Sequence, residues 1–107
     1  MKLSEVFREA KTDLWSGRGQ QYQARFICHA INRQFVRHPL HDESIYEAKQ
    51  VIAQLLEGHV TLDDWLMAKG HAKPHEIITK KGRDEKLQAT RHAWLDHLIQ
   101  HYESIGN

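Results

Sequence analysis

The chain has 107 residues, the length of one domain, and a formal net charge of +1 from 15 Lys+Arg against 14 Asp+Glu. Hydrophobic residues make up 40% and charged residues 27%, which excludes a highly charged disordered tail and a low-complexity tract. The single cysteine, Cys28, excludes an intrachain disulfide and points to a reducing compartment. Charges within the first nine residues argue against a signal peptide, and no apolar run approaches the ~20 residues of a membrane span. The expected location is therefore the cytoplasm, with no membrane contact.

The first helix is expected over about residues 4–15. Ser4 stands in N-cap position with Glu5 in the first turn, and Leu3, Phe7, Ala10 and Leu14 fall in helical register. Trp15-Ser16-Gly17-Arg18-Gly19 ends it. Residues 20–37 contain neither Gly nor Pro, and Ala24, Ile27, Cys28, Ile31 and Phe35 share one side, which predicts a second helix up to the stop at Pro39. Asp42 caps a third helix over about 43–57, with Ile45, Ala48, Ile52, Leu55 and Leu56 as its apolar stripe and Gly58 beyond its end. Thr61-Leu62-Asp63-Asp64 opens a short helix carrying Trp65 and Leu66, closed by Gly70. Residues 71–83 lose the pattern and read as an irregular basic arm. Asp84 then caps a last helix over about 85–103, with Leu87, Trp94, Leu95, Leu98, Ile99 and Tyr102 on one face. The expected fold is all-α, a compact single domain of four or five helices.

Phe26-Ile27-Cys28-His29-Ala30-Ile31, Thr61-Leu62-Asp63-Asp64-Trp65-Leu66, the run Gln88–Ile99 and Leu14-Trp15-Ser16-Gly17 together resemble small uncharacterised accessory proteins encoded by tailed phages and prophages. The resemblance touches most of the chain. It implies a genomic setting, in which products of this kind bind and redirect a host enzyme that handles nucleic acid or defence. It assigns no residue a role.

The chemistry that the residues themselves suggest is recognition. Arg25, His29, Arg33 and Arg37 recur every four residues, so on a helix they form one stripe, with Tyr22 and Phe26 beside it. No acidic residue occurs between Asp13 and Asp42. Such a stripe is either an ordinary solvated helix side or a surface for carboxylates or phosphates, since guanidinium groups fork onto both. The near-neutral total charge argues against nonspecific DNA binding. The 71–83 arm carries Lys73, Pro74, His75, Lys80, Lys81 and Arg83 and reads as a connecting loop or a second contact surface.

Arg91 falls near the centre of the last helix's apolar stripe. A buried guanidinium needs a carboxylate, and Asp63 or Asp64 are the candidates. The alternative is an exposed hot spot of Arg91, Trp94 and Tyr102, residue types that dominate interfaces.

Catalysis and metal binding find less support. Cys28 lies mid-helix on the apolar side, and adjacent His29 points about 100° away on a helix, so the two form no dyad. The pairs His71/His75 and His97/His101 have helical chelate spacing, but no third ligand completes a site. Gly17-Arg18-Gly19 lacks the rest of a nucleotide-binding signature. The sequence therefore predicts no cofactor, no metal and no enzymatic activity. It predicts a host protein partner, with nucleic acid as the alternative ligand of the basic stripe.

Overall fold

The computed structural model describes residues 1–14, 24, 26–38, 43–56 and 85–107. These form an all-α fold of four helices: α1 (Leu3–Asp13), α2 (Ile27–Arg37), α3 (Glu43–Leu56) and α4 (Glu85–Ser104). The helix predicted near 61–70 and the 71–83 arm lie outside the described residues.

Helix α1 is the hub, packing against α2, α3 and α4, while α2 also packs on α3. Its sequence explains this role. Leu3, Val6, Phe7 and Ala10 recur at three- and four-residue spacing and are all buried, followed by Leu14 beyond the helix end. They join Ile27, Ala30 and Ile31 of α2, Ile45, Ala48 and Ile52 of α3, and Leu87, Trp94, Leu95, Leu98 and Ile99 of α4 in one core. Phe7 stacks on Tyr102 of α4 with ring centroids 5.7 Å apart. Burying each such large apolar side chain contributes about 1.5–3 kcal/mol.

The N-terminus of α1 departs from its sequence reading. Ser4 is not the cap: it is buried in the first turn, and Lys2 holds the N-cap position without a side-chain hydrogen bond. The orphan amides of that turn are met from the far end of the described chain. Leu3 N–H donates to Asn107 Oδ1 (3.1 Å) and Ser4 N–H to the Asn107 carbonyl (2.8 Å). Asn107 can reach them because α4 ends in a tight reversal. Gly106 adopts φ +77°, a conformation that glycine alone takes without strain. Its N–H donates to the Glu103 carbonyl (3.1 Å), and the Asn107 N–H donates to the Tyr102 carbonyl (2.8 Å). This pair of bonds is a Schellman cap, so one residue closes the end of α4 and the start of α1.

Helix α2 also starts later than predicted. Instead of residue 20 it begins at Ile27, after an extended Phe26 (φ −154°, ψ 161°). Upstream, Ala24 is not helical but pairs with Leu14 in a single parallel bridge, its N–H donating to the Asp13 carbonyl (2.9 Å). That tertiary hydrogen bond holds Ala24 in a bridge where the local pattern predicts helix. By contrast α3 and α4 match their expected bounds to within a residue, with Ile45, Ala48 and Ile52, and Leu87, Trp94, Leu95, Leu98 and Ile99, buried as read. The side chains of Leu55 and Leu56, and the capping residues Asp42 and Asp84, lie outside the described set.

Candidate partner-binding surface

Helix α2 turns one side to the core and the other to solvent. Ile27, Ala30, Ile31 and Gln34 are buried, while His29, Asn32 and Val36 form the exposed crest opposite. Val36 is 82% exposed, an extreme value for a valine in a helix whose other branched aliphatics are buried. No acidic residue occurs in α2, and Phe26 at its N-cap lies against the His29 ring (centroids 5.6 Å apart).

Of the predicted basic stripe, the described residues include His29, Arg33 and Arg37. His29 stands exposed and Arg33 half-buried on its flank. Arg25 and Tyr22 lie outside the described residues. Arg37 stays about half exposed while its guanidinium reaches the buried Asp13. Its Nε donates to Asp13 Oδ2 (2.8 Å), its Nη2 bonds Asp13 Oδ1, and Gln34 Nε2 donates to Asp13 Oδ2 (2.8 Å). Asp13 is only 5% exposed, so its charge is compensated within the fold. The hydrogen bond and the charge of Asp13, with a smaller contribution from Glu9, hold the Arg37 guanidinium above its ordinary pKa. Glu9 also pairs with His38 (Nε2–Oε2 2.6 Å) just beyond the helix end. The acid-free sequence between Asp13 and Asp42 is thus answered at one end by Asp13 itself.

The flank of α2 away from Arg33 continues onto α3. Phe35 meets Tyr46 edge to face with centroids 4.9 Å apart, and the Lys49 ammonium lies 5.2 Å from the Phe35 ring centre. Tyr46 is 49% exposed. Val36, Tyr46 and Lys49 were not singled out by the sequence. The only signal was a valine on the polar side of α2, which pattern reading treats as a stray apolar residue.

Arg91 and Trp94 are buried, Arg91 at 1% exposure and Trp94 completely, and Tyr102 is half-buried against Phe7. The exposed hot spot on α4 is therefore excluded, because Leu87, Leu95 and Leu98 carry that face into the core. Asp63 and Asp64 lie outside the described residues, as do Lys73, Pro74, His75, Lys80, Lys81 and Arg83. Cys28 is half-buried and packs at the edge of the core, with Asn32 Nδ2 3.8 Å from its sulfur. Among the described residues no group of His, Cys, Asp and Glu could hold a metal ion. No described helix is long and apolar enough to cross a membrane. Comparisons with protein-family models, curated proteins and solved structures find no match for this chain.

Proposed function

We propose that this chain is a non-catalytic accessory protein that binds a protein partner through the outward face of α2. The observation that carries this reading is Val36, largely exposed on a crest that bears His29 and Asn32 and no acidic residue. A lone exposed valine is ordinary on a surface, but Val36 stands beside Phe35 and the half-exposed Tyr46, and it is contiguous apolar surface that an interface buries. The resemblance to phage-encoded accessory proteins supplies the setting: a host bacterial enzyme complex for nuclease, recombination or defence work, modulated by occupation in the cytoplasm. The 71–83 arm, with Lys73, Pro74, His75, Lys80, Lys81 and Arg83, is the second surface offered to that partner.

A nucleic-acid-binding module would use the same cations. It is the weaker reading because Arg37 is engaged by Asp13 and the crest valine offers a phosphate nothing. The test is affinity capture from nuclease-treated bacterial lysate. The wild-type chain is expected to retain one host complex at stoichiometric yield, lost in Val36→Glu or on replacing 71–83 with a Gly/Ser linker. Capture that survives both changes would overturn the choice of surface. Capture abolished by nuclease would transfer the surface to nucleic acid.

A further inference from the structure

Helix α1 does not close its own start. Lys2, in the N-cap position, makes no side-chain hydrogen bond, and the acceptors for the Leu3 and Ser4 amides both come from Asn107. One acceptor is the Asn107 side chain and the other its main-chain oxygen, so a single residue holds both bonds. Asn107 is placed in turn by its own N–H on the Tyr102 carbonyl and by the left-handed turn at Gly106. The residues that carry it there stand outside the core. Ser104, Ile105 and Gly106 are exposed, Ile105 at 62%, and a Cβ at Gly106 would meet nothing within 4 Å.

Hydrogen bonds at a solvated surface contribute little net stability, and burial of Ile105 adds little to them here. A segment of that kind opens locally, at a lower free energy than the packed core. The turn beneath it is different in character, because Leu3 and Ser4 are both buried. On the α3 side Ser44 Oγ donates to the Met1 carbonyl. The start of α1 therefore lies between one hold from α3 and a second from residues 105–107.

We propose that residues 105–107 are a strap that opens and closes as one unit over the first turn of α1. When the strap lifts, Leu3 and Ser4 lose both acceptors at once and the turn is released, while the rest of the core stays packed. Cooperativity follows from the wiring: Asn107 supplies both acceptors, and the single left-handed step at Gly106 aims it. A change at residues 105–107 is thereby read at residues 3 and 4, in another helix.

The experiment is amide hydrogen exchange on the full, isotope-labelled chain, with Leu3 and Ser4 as reporters and Ala10 and Leu98 as references inside helices. The substituted positions are remote from the reporters in sequence, so the intrinsic exchange rates of the reporters do not change. In the wild-type chain Leu3 and Ser4 are expected to share one protection factor. It should lie well below that of the references and be nearly insensitive to low urea, the mark of a local opening. Gly106→Ala has room for its methyl group but disfavours the left-handed backbone, and is expected to speed exchange at both reporters about five- to thirtyfold. Gly106→Asn accepts that backbone more readily and is expected to speed it less. Asn107→Ala removes only the acceptor of Leu3, yet is expected to speed Leu3 and Ser4 by one common factor, about two- to tenfold. The proposal is overturned if Asn107→Ala speeds Leu3 alone, because the two bonds then open independently. It is overturned equally if Gly106→Ala leaves both reporters unchanged, or if the wild-type reporters exchange only together with the references. None of these variants removes a core side chain, so the fold is retained while the strap is altered.

Discussion

Helix α1 faces α2 and α4 with charged side chains, and the two seams handle charge in opposite ways. Toward α2, the Asp13 carboxylate is withdrawn from water and accepts bonds from Gln34 and twice from Arg37. Toward α4, Lys11 pairs with Asp96 (2.6 Å) and Arg8 with Glu103 along an open groove floored by Ile99, and all four side chains keep substantial contact with water. The depth of the α4 seam is apolar, with Phe7 stacked on Tyr102. A buried carboxylate must be matched or the seam fails, whereas exposed pairs compete with water and ions on equal terms. Charges of the first kind belong to the fold, whereas those of the second kind stay in contact with water and ions.

The largest expected effect follows from breaking the buried seam. Arg37→Ala leaves the buried Asp13 with Gln34 and whatever water enters beside the half-exposed site, and is expected to cost about 1–3 kcal/mol, read as a lower urea midpoint. Asp13→Asn keeps an acceptor and removes the charge, so its expected cost is about 1–2 kcal/mol. The contrast between the seams collapses if Arg37→Ala costs no more than Lys11→Ala. On the α4 side, Lys11→Ala and Arg8→Ala are each expected to cost less than about 1 kcal/mol, a difference that fades in high salt.

The smallest effect concerns Tyr102 and appears only in alkali. Burial, aided by the charge of Glu47, raises its phenol above the ordinary value of 10.0. The unfolded chain then ionises first, so the stabilising contribution is complete below about pH 10 and is lost as pH rises through the folded pKa. Ultraviolet absorbance should show one tyrosine titrating late, and Tyr102→Phe should remove both that step and the alkaline slope of stability. An ordinary titration for all three tyrosines would mean that the seam admits water.

What the sequence made legible was local. The apolar spacing of α3 and α4 located both helices within a residue, and the stripe around Arg91 placed that arginine in the core. The features it hid are made by partners distant in the chain. The late start of α2 accompanies the Asp13–Ala24 hydrogen bond, and the cap of α1 comes from Asn107 rather than Ser4. The basic stripe was visible as spacing, but the removal of Arg37 from it depends on the tertiary position of Asp13. Lys49 and Tyr46 joined the candidate surface because α3 packs beside α2, which no pattern within either helix announces.

The pairing of α1 with α4 also bears on how the domain is made. Helix α1 finds its principal partner in α4, the last of the described helices, and the Asn107 bonds to residues 3 and 4 span almost the whole described chain. Helical domains usually fold through contacts near in sequence, but here the central seam closes a long loop and bears its entropic cost at the end. During synthesis Phe7 cannot be fully covered until α4, which supplies Tyr102, has left the ribosome. The nascent chain therefore presents this apolar face until α4 is made, and a chaperone would meet it before the domain closes.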